Sequence, residues 1–251
     1  MNHAVPNSMR RLFLSLLVAG GCLASLGAHA EPATLLVAAG AGYKRPVEEI
    51  ANGFEAGGKA HVERVYGHMG MVMTQARVSG KVAVVFGEQA VLEKDPNVRF
   101  EQLLPVGRGR LVLAWPKNRN YKGPQDLLAA GVERIGIPDM KQAIFGKAAR
   151  ESLTHAALFD RLEPRLITAP TVPQVAAWLQ SGEIDAGFIN LTEALGVLDK
   201  IGGYVELPQE SYTPVNIAAG IVSGNSSPAL PAFADYLRTP AVQEIFKRYG
   251  L

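Results

Sequence analysis

Imidazole and thioether groups crowd one short stretch of this 251-residue chain: His68, Met69, Met71 and Met73 fall within six residues and include three of its six methionines. Thioether plus imidazole is the donor set that soft copper(I) prefers, and Met69 and Met73, four residues apart, would share one helical face. A second reading of the same residues turns Met71 and Val72 to the core and leaves the others as adaptable apolar filling of a cleft. The other candidate is residues 35–50, LLVAAGAGYKRPVEEI. An apolar run ends at Gly40 and Gly42, which allow a tight bend, and Pro46 suits a first helical position because it has no N–H to leave unpaired. A small loop ending at a helix start offers free backbone N–H groups beside a positive dipole end, which is a place to hold an anion. A plain strand-to-helix turn has the same glycines, and the third glycine of a dinucleotide fingerprint is missing.

Catalytic constellations are not in view. There is no Gly-x-Ser-x-Gly elbow, no His-Glu-x-x-His and no P-loop lysine. Ser152, Thr154 and His155 are close in sequence, but a helix would point them to different faces. The chain is therefore read as a non-enzyme. Glu48 and Glu49 suit the positive end of the first helix, and Lys44 and Arg45 could steer an anion toward the first turn or form a solvated face. His68 is either a donor that gains charge as pH falls or a solvated loop histidine.

The elements that must position these groups follow from the apolar pattern. Residues 1–30 read as an export signal, with Arg10 and Arg11, an apolar core at 12–19 and Ala28-His29-Ala30 before a cut at Glu31. Lipid attachment at Cys22 is the less favoured alternative. The 25 bases less Arg10 and Arg11 equal the 23 acids, so the exported chain has no net charge and nothing favours nucleic acid or a membrane surface. Cys22 is the one cysteine, and a chain of this length buries enough apolar surface without disulfides. Beyond residue 33, strands expected at 35–39, 62–66, 82–87, 110–115, 134–137, 165–168, 185–189, 203–207 and 217–222 alternate with helices. Helices are expected at 46–56, 70–79, 88–93, 124–130, 142–155, 158–162, 172–181, 192–199, 228–238 and 240–249. The alternation means parallel sheets layered with helices, an α/β protein. Residues 103–117 have the makings of a crossover between two lobes, with a return near 210–215.

Read as a series, these pieces resemble the periplasmic substrate-binding proteins of molybdate and tungstate ABC importers. The carboxy-terminal run FADYLRTPAVQEIFKRYGL, residues 233–251, is similar to that family's ending in wording and position. LLVAAGAGYKRPVEEIANGFE resembles its opening strand and helix, VYGHMG stands where the family has a glycine-flanked serine pair, and RLVLAWPK resembles its crossing strand. GIPDMKQAIFGKAARESL and GEIDAGFINLTEAL complete a resemblance spanning residues 33–251.

The resemblance implies a two-lobed fold of the type II periplasmic-binding-protein class, each lobe a mainly parallel sheet flanked by helices, with a ligand cleft between them. It places residues 31–112 with 216–251 in one lobe and 113–215 in the other. It implies capture of a small oxyanion of the molybdate or tungstate type and delivery to an inner-membrane ABC permease, by a periplasmic monomer without cofactor. Its ligand-contacting positions fall here on Ala41, Gly42, His68, Met69, Ala143, Gln174 and Asn190. The usual serines and tyrosine are absent from these positions, so backbone N–H groups and the carboxamides of Gln174 and Asn190 must take their place, with Tyr43 as a further hydroxyl near the cleft. The alternative is a periplasmic metal-binding protein on the same fold, holding copper(I) with His68, Met69 and Met73.

Overall fold

The computed structural model describes Met1 and residues 33–251 apart from Lys59. The expected export signal, its cleavage point and Cys22 lie outside the described residues. Strand β1 (Thr34–Gly40) is apolar on both faces because helices cover both, and it pairs in parallel with β2 (His61–Gly67) and β3 (Val82–Glu88). Helices α1 (Lys44–Ala56) and α2 (Met69–Ser79) follow β1 and β2, and α3 (Gln89–Lys94) follows β3. A 3₁₀ turn at Ala41–Tyr43 joins β1 to α1, so Pro46 is the third residue of the helix and not its first. It is tolerated because no N–H in the first turn has a partner within the helix.

One strand is absent from the sequence expectation: β4 (Phe100–Gly109). Pro105, Gly107 and Gly109 argue against a strand, yet β4 lies at a sheet edge, where a missing N–H and a bulge are accommodated. The first sheet has the order β2-β1-β3-β10-β4, with β10 (Val215–Val222) antiparallel to both neighbours. The second has the order β7-β6-β8-β5-β9, built from β5 (Leu111–Trp115), β6 (Ile135–Pro138), β7 (Leu166–Ala169), β8 (Ala186–Asn190) and β9 (Gly203–Glu206). Here β5 is the reversed strand. Four strands of five run one way in each sheet, but half of the pairings are antiparallel, so the sheets are mixed. The reversed strands β5 and β10 are those that follow the two crossings, at 109–111 and 206–215.

The second lobe's helices are α4 (Ile144–His155), the short α5 (Phe159–Leu162), α6 (Val172–Ser181) and α7 (Leu191–Gly196); α8 (Leu230–Leu237) and α9 (Pro240–Arg248) close the chain on the first. Residues 124–130, expected as a helix, form only a 3₁₀ segment at Pro124–Leu128. One continuous apolar cluster runs through both sheets, from Leu35, Val37 and Phe54 to Leu113, Ile135 and Phe188. Phe54 of α1 meets Phe233 of α8 edge-on at 5.0 Å between ring centroids. A smaller cluster on the other face of the first sheet takes Met69, Val72, Met73 and Ala76, the inward stripe of α2.

Register decides what happens at the strand ends. Gly40 pairs with Gly67 and Pro138 with Ala169, so the helix starts that follow β1 and β2 lie side by side, as do those that follow β6 and β7. Helix α4 seats tightly there: a Cβ on Gly146 would collide with the carbonyl oxygens of Pro138 and Asp139. Replacing Gly146 with Ala is expected to cost about 2–3 kcal/mol of stability, the scale of overpacking against backbone. Urea unfolding measures it, and a loss below about 0.5 kcal/mol would show that α4 can lift without penalty.

Candidate functional site

The four helix starts border a small, partly open cavity of about 30 Å³, where a single water needs roughly 10–15 Å³ on the same scale. The first lobe contributes Gly40, Ala41, Gly42 and Tyr43 from one turn and Gly67, His68 and Met69 from the next; the second contributes Ala143, Ile144 and Phe145, then Thr171 and Val172. Among the described residues that line it, none is Lys, Arg, Asp or Glu. What the walls do carry is backbone N–H. First-turn N–H groups have no acceptor within their own helix, and each start is the positive end of its dipole. Met69 begins α2, Ile144 and Phe145 begin α4, and Val172 begins α6.

Five of the seven expected residues border this cavity: Ala41, Gly42, His68, Met69 and Ala143. Ala143 is not the donor it was expected to be, because its N–H is already given to the carbonyl of Asp139 at 2.9 Å. Ile144 and Phe145 supply the free groups instead. Ahead of them, Asp139 Oδ1 accepts the N–H groups of Lys141 and Gln142, each at 2.8 Å, and these bonds hold its carboxyl below the usual range. The loop that aims α4 is thereby fixed.

Gln174 and Asn190 stand elsewhere. Gln174 is exposed on α6, because Val172, Val175, Ala176 and Leu179 form the buried stripe and position 174 falls off it. Asn190 is fully buried, and its carboxamide is committed at both ends. Its Nδ2 donates to the Gly42 carbonyl at 2.9 Å and its Oδ1 accepts from Glu193 N–H at 3.3 Å, capping α7. It ties the second lobe to the first-lobe turn and does not line the cavity. Gly42 permits this approach, since a Cβ there would lie 3.1 Å from Asn190 Nδ2.

The metal-binding alternative does not assemble. His68 caps α2 with Nδ1, which accepts Met71 N–H at 3.2 Å, so the neutral ring keeps its proton on Nε2. The Met69 thioether instead packs beside Gly40 and Gly87, and Met73 is buried in the apolar cluster under α2. Nor do Lys44 and Arg45 stand free to steer an anion. Arg45 bonds Glu193 Oε1 at 3.1 Å across the lobes, and the Lys44 ammonium lies 5.6 Å over the Tyr66 ring.

Two further residues that carry hydroxyls line the cavity: Thr171, which was not expected there, and Tyr43, which was expected as a further hydroxyl near the cleft. Thr171 precedes α6 as its N-cap residue, yet its side chain makes no capping bond and remains free beside the cavity. The sequence signal was the Thr-Val-Pro run itself, a cap residue before a helix with proline in its first turn. Tyr43 is 3% exposed, and its hydroxyl has no hydrogen-bond partner.

The family model described as bacterial extracellular solute-binding protein matches residues 35–251. The molybdate-binding protein ModA of Rhodobacter capsulatus is 28% identical over 86% of this chain and 87% of its own. A substrate-binding lipoprotein of a putative ABC transporter, YvgL of Bacillus subtilis, is 26% identical over 86% of this chain and 85% of its own. The solved periplasmic molybdate-binding protein of Azotobacter vinelandii superposes with a TM-score of 0.76 at 26% identity, covering 86% of this chain and 97% of that one.

Asn190→Ala removes a helix cap and leaves the Gly42 carbonyl without its partner, so stability is expected to fall by about 2–3 kcal/mol. Chemical unfolding reads the loss. A variant as stable as the parent would mean that the tie between the lobes is dispensable.

Proposed function

We propose that this chain, which belongs to the bacterial extracellular solute-binding proteins, captures a small tetrahedral oxyanion of the molybdate or tungstate type between its lobes and hands it to an ABC permease. Proteins of this family are transport components and not enzymes. The observation that carries the ligand reading is the convergence of four helix starts, two from each lobe, on a small cavity whose described lining holds no charged side chain. Backbone N–H groups at helix starts hold anions without a countercharge. The cavity's donors come from several directions, as a compact oxyanion requires. The molybdate-binding relatives in Rhodobacter and Azotobacter support the choice of anion.

The residues proposed to meet the anion are Ala41 and Gly42, Met69, Ile144, Phe145 and Val172 through backbone N–H, with the Thr171 hydroxyl and the Nε2–H of His68 beside them. Exported residence in the periplasm and action as a monomer belong to the same proposal. Binding only to the folded state raises its stability by about 2.7 kcal/mol at a hundredfold excess over Kd. For a chain of this size that is a rise in Tm of about 5–10 °C. Thermal unfolding against molybdate, tungstate, sulfate, phosphate and copper(I) is expected to show it with molybdate or tungstate, and Thr171→Val is expected to weaken binding about tenfold, as loss of one hydrogen bond to a charged group does. A shift with copper(I) alone, or none with any oxyanion, would sink the reading.

A further inference from the structure

Arg45, the second residue of α1, has a ready partner one turn along its own helix, and does not use it. Glu49 stands at the i+4 position, but Arg248 of α9 holds it, and the neighbouring Glu48 accepts the Tyr66 hydroxyl at 2.8 Å. Arg45 instead crosses to the second lobe and meets Glu193 of α7, 148 residues away, with Nη2 at 3.1 Å from Oε1. Among the described residues this is the one ion pair that Glu193 makes. Gly196 makes room for the crossing, since a Cβ there would stand 2.2 Å from both Cδ and Nε of Arg45. The two ends of the pair are unequally placed. Arg45 leaves 37% of its side chain exposed, along a groove of about 630 Å³ lined by residues of α1, α6 and α7, whereas Glu193 leaves 6%. The Arg45 Nε, although buried, has no partner, so the contact is not the bidentate fork that makes such pairs strongest. Neither residue lines the cavity between the helix starts.

We propose that Arg45 and Glu193 are positioning residues for ligand capture: they license closure of the lobes over the cavity without touching what is bound there. For its ligand this rests on the oxyanion reading above. Helix α7 packs on the turn and on α1 of the first lobe, so drawing the lobes apart opens the surroundings of Glu193 to water. A hydrated carboxylate needs no countercharge, but one enclosed without its partner is costly. Closure buries Glu193 at the moment Arg45 arrives to meet it. A chain without Arg45 must close on a lone charge or stay open. The intact pair adds little net energy, because its attraction is offset by the water both groups give up, and it therefore permits closure without locking it. The apparent affinity of any ligand that needs both lobes falls with the fraction of the protein able to close.

The test titrates the parent protein, Arg45→Ala and the double variant Arg45→Ala/Glu193→Ala with molybdate and tungstate by calorimetry, and records small-angle X-ray scattering of each without anion. Arg45→Ala is expected to bind about 10- to 100-fold more weakly than the parent and to scatter as a more extended particle. The double variant is expected to recover the parent's profile and a Kd within about threefold of it, because closure then buries no charge at all. Such recovery, on removing a second residue that does not line the cavity, is not the behaviour of a pair that only stabilises the fold. If the parent binds and Arg45→Ala binds within twofold of it, or the double variant is as weak as the single, the inference falls and the oxyanion reading stands. An Arg45→Ala chain that does not fold also overturns it, since the pair would then serve the fold and not closure. If the parent binds neither anion, the oxyanion reading falls and scattering decides the inference alone: expansion in Arg45→Ala that the double variant reverses upholds it, and three equal profiles overturn it.

Discussion

A helix that starts in a protein interior leaves N–H groups that no carbonyl of its own can reach, and four such starts meeting at one point make a local excess of donors that something must answer. Much of the fold follows from that constraint. The β1·β2 and β6·β7 registers bring the starts together in pairs, Gly40 beside Gly67 and Pro138 beside Ala169. Local devices then answer some donors and leave others. His68 Nδ1 takes Met71 N–H, and Asp139 takes Lys141, Gln142 and, through its carbonyl, Ala143. The groups left over are those one or two residues further on, at the cavity wall.

Holding two lobes around such a point needs contacts that differ in kind from the core. Asn190 binds the Gly42 carbonyl, and Glu193, with only 6% of its side chain exposed, depends on Arg45 for its countercharge. A nearly buried carboxylate is costly without its partner, whereas an exposed pair such as Arg110–Glu206 adds little. Both strong ties come from the start of α7, Asn190 as its cap and Glu193 in its first turn, and reach the turn and helix that follow β1. At the crossings, Tyr212 accepts Leu111 N–H at 3.0 Å, and Leu207 N–H reaches the Leu111 carbonyl at 3.0 Å. The two connections are thereby fastened to each other.

Most of the layering was legible because strand and helix periods are local properties. The apolar run at 35–39 and the inward stripe Val47, Ile50, Ala51 and Phe54 of α1 are written in nearby residues. What was not legible depends on partners far away in sequence. β4 is a strand because β10, more than a hundred residues later, pairs with it despite Pro105. Asn190 read as a free carboxamide because nothing in its neighbourhood announces that Gly42, 148 residues earlier, offers an acceptor. Thr171 was overlooked for the opposite reason. A threonine before a helix is expected to cap it, and only the three-dimensional arrangement shows that its hydroxyl does not.

The division of donors between lobes is what would turn such a cavity into a device for both capture and release. On the oxyanion reading, Ala41, Gly42 and Met69 stand on one side of the anion and Ile144, Phe145, Val172 and Thr171 on the other, so either lobe alone presents only part of the set. The anion then binds the closed arrangement far better than the open one, and that difference in affinity is all the free energy with which it can favour closure. A lysine or arginine in the wall would weaken this dependence, because a charge attracts over a distance and would hold the anion in the open form as well. Hydrogen bonds from neutral groups fall off steeply with distance and angle. A wall of backbone N–H and hydroxyl groups therefore makes affinity a function of how the lobes stand, and a permease that draws the lobes apart would lower it without touching the anion.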